Sequence, residues 1–251
     1  MSLASRISLA VKHRDWSAAV VDIGVVAIGI LMALAVDRWQ SERSIAAREV
    51  LLLQKTHDEI IVLEPRVSSL SESMHTNLVR FGNVRNHVLT EDQDSLSTAD
   101  CEALLYYRLA PTEYSFSTLE QLQNPETLRT SRYASVRAAA RALLDNQKFQ
   151  AEFEKLLYAR TVDLVVGFPN LLPVHLRPAN DPNDIDGYVP TTTCQLHDMR
   201  GNRAFMNALH RDYTVMLGVT SSYDEVIVAS LNRPHIAIDS ALGVQHVFPQ
   251  G

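Results

Sequence analysis

From Ser17 to Val36 the chain reads SAAVVDIGVVAIGILMALAV, twenty residues with a single charge, Asp22. A helix that is apolar on every side has to be surrounded by apolar material on every side. At about 1.5 Å of rise per residue the run spans about 30 Å, the hydrocarbon thickness of a bilayer. Trp16 and Trp39, the only two tryptophans, bracket it where interfacial aromatics concentrate. Residues 17–36 therefore read as a transmembrane helix, with the lipid bilayer as its partner.

A signal peptide is the competing reading, because Ala33-Leu34-Ala35 imitates a small-x-small cleavage site. The run is longer than a signal core of about 7–15 residues and holds an aspartate, which favours the anchor. Asp22 lies within two turns of the start of the span. It reads either as an intramembrane charge with a partner on another helix, or as a group hydrated near the headgroups. Gly29, Ala33 and Asp37 follow one another at four-residue steps, a stripe that permits close helix packing in a membrane. Arg6, Lys12 and Arg14 precede the span and Arg38, Arg43 and Arg48 follow it, so cation counts alone give no orientation. A short N-terminal tail ordinarily stays in the cytoplasm while a long following domain is translocated. Residues 1–16 are expected to be cytoplasmic and residues 37–251 periplasmic, in a bacterial inner membrane.

The chain behind the anchor is long enough for one domain of ordinary size. With 10 Pro and 9 Gly in 251 residues it is neither disordered nor a turn-rich β-sandwich. A net charge of −6 leaves no basic face for nucleic acid. Ile60, Leu63, Val67, Leu70, Met74, Leu78, Phe81 and Val88 recur at mostly three- and four-residue steps, the pattern of one apolar helix face. Pro65 interrupts that face and predicts a bend or a new helix start. Ser97 and Asp100 form a capping signal for a helix over 101–109, ended by Pro111. Further helices are expected over 115–123, 133–144, 147–166 and 202–230, with Asn124-Pro125 and Asp145-Asn146 as breaks and a tail after Pro234. Phe149, Phe153, Leu156, Leu157 and Leu164 fall on or near one face of the 147–166 segment. Residues 167–190 hold five of the ten prolines and read as a long loop. The fold class is all-α: one transmembrane helix running into a helical-bundle domain.

Chemistry is harder to find. No HExxH, GxSxG, Walker loop or strand-borne GxGxxG occurs. His197, Asp198, His210 and Tyr213 invite a ligand pocket, but scattered histidines in a helical domain are usually surface or satisfied core residues. Asp181, Asp184 and Asp186 lack the glycine and terminal glutamate of a calcium loop. Arg129, Arg132, Arg137 and Arg141 would hold an anion, or form a solvated face. No catalytic, cofactor-binding or metal-ligating set can be assembled from spacing, so neither enzyme nor cofactor is expected. Cys101 and Cys194 fit no metal-ligand spacing. They either close a disulfide, as an oxidising compartment would allow, or remain two buried thiols.

The run VVDIGVVAIGILMALAVDRWQSER resembles the anchor of an uncharacterised family of bacterial single-pass inner-membrane proteins, in which an interfacial Trp leads into a charged helix. TLEQLQNPETLRTSRYASVRAAARALL is similar to the middle region of that family, with Leu119, Leu122, Leu128, Val136 and Leu143 on its framework. Asn124-Pro125 departs from the small residue and glycine usual at its turn. The resemblance implies a helical extracytoplasmic domain and no activity. The functional expectation is a non-enzymatic protein acting through protein contacts, either as an accessory or structural subunit of a membrane assembly or as a homo-oligomer. The alternative is a periplasmic small-molecule sensor signalling through a partner. Gly29→Leu is expected to weaken self-association without preventing insertion; unchanged crosslinking between protomers in native membranes would remove the small-residue stripe.

Overall fold

The computed structural model describes residues 16–90, 96–106, 116–124, 126–178 and 187–244. The expectations for the tail 1–15, the acidic stretch 91–95 and Asp181, Asp184 and Asp186 lie outside these residues. The chain divides into two compact units, Met1–Leu52 and Leu53–Gly251. Among the described residues the regular structure is helical apart from two short strands.

The described part of the first unit belongs to α1 (Trp16–Thr90). Near its N-terminus α1 is long and apolar enough to cross a membrane, with a mean hydropathy of 2.3 over a window of which none is buried in the protein. Val20, Ile23, Ile28, Leu31 and Leu34 are all more than half exposed. On the polar side of this stretch, Arg38 Nε donates to Glu42 Oε1 at 2.9 Å. The Arg43 guanidinium lies 4.5 Å from the centre of the Trp39 ring.

In the second unit the remainder of α1 supplies the apolar stripe around which the domain is built. Leu53, Ile60, Leu63, Val67, Met74, Leu78, Phe81, Val84 and Val88 are buried. The helix continues through Pro65 instead of breaking there. Pro65 sits on the exposed side while Leu63 and Val67 are buried. The one lost backbone bond therefore falls where water can take it, and the buried stripe is kept. Arg200 donates twice to the His87 carbonyl, at 2.9 and 3.2 Å, and so satisfies one of the last carbonyls of α1.

Ser97 and Asp100 cap α2 (Thr98–Tyr106) reciprocally: the Asp100 N–H donates to Ser97 Oγ and the Ser97 N–H to Asp100 Oδ2, both at 3.1 Å. Burial pushes the Asp100 carboxyl up, but hydrogen bonds from Ser97 and Asn83 and the Arg80 charge outweigh it and hold the group below the usual aspartate range. Next come α3 (Ser117–Leu122), a 3-10 turn at Ser131–Tyr133, and α4 (Ala134–Tyr158). The expected break at Asp145-Asn146 is absent, since α4 runs through it. Asn146 turns its amide to the Val226 carbonyl at 3.5 Å, a tertiary partner that substitutes for a turn.

The four-residue α5 (Leu164–Gly167) follows, capped by Asp163 Oδ1, which accepts from the Val166 N–H at 3.1 Å. Part of the expected loop 167–190 is instead an antiparallel hairpin of β1 (Val174–Pro178) and β2 (Tyr188–Thr192), with Leu176 opposite Pro190. Gly187, at a φ of 64°, enters β2 through a conformation that costs glycine little. The chain ends in α6 (Leu196–Gly201), α7 (Arg203–Tyr223), a π-helical turn at Asp224–Val228, and α8 (Ala229–Leu242).

The expected tail after Pro234 is a further correction, because Pro234 lies inside α8. Ile227, Ser230, Leu231, Pro234, His235 and Ile238 are all buried, which gives the helix a continuous buried face across the proline. Gly243, at a φ of 71°, ends it. One core joins Leu78, Phe81 and Val84 of α1 to Met199 of α6 and to Phe205 and Leu209 of α7. Elsewhere α4 packs along α8 and α3 along α4.

In the second half of α4 the expected apolar face is only partly covered, and Phe153 and Leu157 are half-buried. Phe149 and Leu156 are 56% and 55% exposed, whereas Gln150 and Glu154 are buried. Inside, Ser222 Oγ donates to Gln150 Oε1 at 2.7 Å, and Gln150 Nε2 to Glu154 Oε1 at 2.8 Å. Burial pushes the Glu154 carboxyl up against the opposing pull of the Gln150 bond. A group raised on folding favours the folded state below its unfolded pKa and loses that contribution as pH rises through the folded value. Glu154→Gln keeps an oxygen for Gln150 and removes the charge. In urea titrations it is expected to be more stable than the parent at pH 7–8, with the gain vanishing toward pH 4.

Candidate functional site

Within the second unit, α1 and α8 face each other with polar groups in the middle of their contact. His57 comes from α1, and His235 and Asp239 from α8, where the i,i+4 spacing puts both on one face. All three are buried, at 9%, 3% and 6% exposure. His57 Nε2 lies 3.0 Å from Asp239 Oδ1, and His235 Nε2 lies 3.8 Å from Asp239 Oδ2. The two imidazoles meet edge to face with centres 5.3 Å apart. One ligand atom from each of the three residues falls within 4.8 Å of the others. On the far side of each ring stands a second carboxylate. Glu64 Oε2 is 3.6 Å from His235 Nδ1, and Asp58 Oδ1 is 3.8 Å from His57 Nδ1.

Two other carboxylates of the domain have structural roles. Glu59 receives Thr118 N–H at 3.1 Å and Ser117 Oγ at 3.2 Å, with the Thr118 hydroxyl as a third donor, and so closes the start of α3 from a distance. Asp224, in the π turn, accepts from Ser71 Oγ at 2.5 Å and lies 2.6 Å from His75 Nε2, tying the turn to α1.

The residues singled out from sequence do not converge here. Gly29, Ala33, Asp37 and Asp22 are on the exposed first part of α1, where a Cβ added to Gly29 would meet nothing within 4 Å. Trp39 is exposed beside Arg43, and Trp16 opens α1 with its side chain outside the described residues. His197 and Asp198 are exposed on α6. His210 accepts from Arg85 Nε at 3.0 Å, and Tyr213 stacks on Phe81 against the bare backbone of Gly82, so this pair serves the α1–α7 contact. Arg137 donates to the Leu128 and Thr130 carbonyls, which makes it a brace for the preceding loop.

His57, His235 and Asp239 escaped the sequence reading for one reason. Ending the last helix before Pro234 placed His235 and Asp239 in a tail, which hid their shared helical face. Cys101 and Cys194 are joined by a disulfide with Cα atoms 5.7 Å apart, linking α2 to the segment between β2 and α6.

No family model, curated protein or solved structure matches this chain.

The disulfide closes a loop of 93 residues. Its removal by Cys194→Ser is expected to cost about 2–5 kcal/mol, seen as a lower urea midpoint that dithiothreitol reproduces in the parent and leaves unchanged in the variant.

Proposed function

We propose that this chain is a single-pass bacterial inner-membrane protein whose helical domain works in the periplasm through contacts with a second copy of itself, without enzymatic chemistry. The observation that carries the contact reading is the second half of α4. Phe149, Phe153 and Leu156 form an apolar stripe at helical spacing, Phe149 and Phe153 stack with centres 5.9 Å apart, and the face turned inward carries Gln150 and Glu154. Phe149 and Leu156 left in water beside a half-buried Phe153, while polar groups are buried, mark a surface that another protein covers. The stripe is also self-complementary. Two antiparallel copies of α4 related by a two-fold axis put Phe149 of one against Leu156 of the other, Phe153 on the axis, and Glu152 beside Lys155. Confinement of anchored chains to one membrane raises their effective concentration, so a contact of this size suffices.

The Cys101–Cys194 disulfide supports the periplasmic side, because such bonds persist in oxidising compartments and are rare in the cytoplasm. The resemblance of the anchor and the middle region to single-pass inner-membrane proteins agrees with that side.

Since the chain's two cysteines are paired, Phe153→Cys introduces one reactive thiol. Oxidation in native membranes is expected to give a covalent dimer that Phe149→Glu abolishes, and a membrane-impermeant maleimide is expected to label Asp198→Cys, at an exposed position of α6, from the periplasm. A monomer bound stoichiometrically to a different protein would replace self-association by the accessory-subunit reading. Labelling only after cell lysis would reverse the orientation.

A further inference from the structure

We infer that His57, His235 and Asp239 bind a divalent transition-metal ion of the zinc type. The donor set is the first argument. Two imidazoles and a carboxylate, with no thiolate, match the ligands such ions take and are too few in oxygen for calcium or magnesium. Spacing is the second. Ligand atoms bound at about 2.0–2.1 Å around a tetrahedral ion stand about 3.3 Å apart. Asp239 Oδ1 lies 3.0 Å from His57 Nε2 and Oδ2 lies 3.8 Å from His235 Nε2, close to that spacing, and one ligand atom from each of the three residues falls within 4.8 Å of the others.

The third argument is the outer ring. Metal-bound histidines donate their other nitrogen to a carboxylate, which fixes the tautomer and turns Nε2 toward the ion. Glu64 Oε2 stands 3.6 Å from Nδ1 of His235, in place to take that role. A divalent cation also offsets the cost of placing Asp239 at 6% exposure between two helices. Three protein ligands leave a fourth position for water or a further ligand.

Binding ties α1 to α8, so it is expected to stabilise the domain by mass action. The test is calorimetric titration of the full-length protein in detergent with Zn2+ after EDTA treatment, with Co2+ as an absorbing substitute. One equivalent of Zn2+ is expected to bind and raise Tm, and Co2+ to give the intense visible bands of a tetrahedral site. His235→Ala and the isosteric Asp239→Asn are expected to lose both signals, and Glu64→Gln to weaken binding about 10–100-fold. His197→Ala, on exposed α6, is expected to bind as the parent does. Helical circular dichroism shows whether each variant folds, and Asp239→Asn covers a failure of His235→Ala. Absence of saturable binding in the parent, or unchanged binding in folded Asp239→Asn, would overturn the inference.

Discussion

Everything in the domain depends on covering one face of α1 between Leu53 and Val88. Each large apolar side chain on that face is worth about 1.5–3 kcal/mol when buried, and α1 cannot bury it alone. Leu78, Phe81 and Val84 are enclosed by Met199 of α6 and by Phe205 and Leu209 of α7. The demand is strong enough to override local preference at two prolines. Pro65 faces outward and Pro234 faces the core, yet α1 and α8 both run on, because breaking either helix would expose several side chains to spare one hydrogen bond.

Polar groups inside the bundle are handled in two ways. Gln150 and Glu154 are linked by hydrogen bonds that end on Ser222, and the raised Glu154 carboxyl shows that the burial of this group still has a cost. His57, His235 and Asp239 are a set of another kind, gathered where α1 meets α8 with Glu64 beside His235. The first arrangement reads as a wedge that fixes the register of α4. The second has the chemistry of a ligand site, and an ion bound there would govern how firmly α8 holds α1.

Much of the fold was legible because periodic apolar positions encode a helix face without reference to any neighbour. The α1 stripe was read nearly residue for residue, with Val84 missed and Leu70 only half-buried. The Ser97–Asp100 cap was legible because its partners are three residues apart. The errors share a cause as well. Asp145-Asn146 and Pro234 look like breaks locally, and each is overruled by a distant contact, the Val226 carbonyl in one case and a continuous buried face in the other. The hairpin of β1 and β2 was hidden because a segment rich in proline reads as loop. The α4 stripe was legible as one apolar face, but aromatic periodicity does not report whether or by what that face is covered.

By itself the sequence determined the helical class, a helix long and apolar enough to cross a membrane, and the stripe that organises the domain, because these follow from spacing along one chain. Only the tertiary structure decided which face of α4 is buried, that Cys101 and Cys194 are paired, and that His57 stands against His235 and Asp239. Those outcomes depend on how two helices from opposite ends of the chain are aligned, and that alignment is chosen by the summed packing of the whole core.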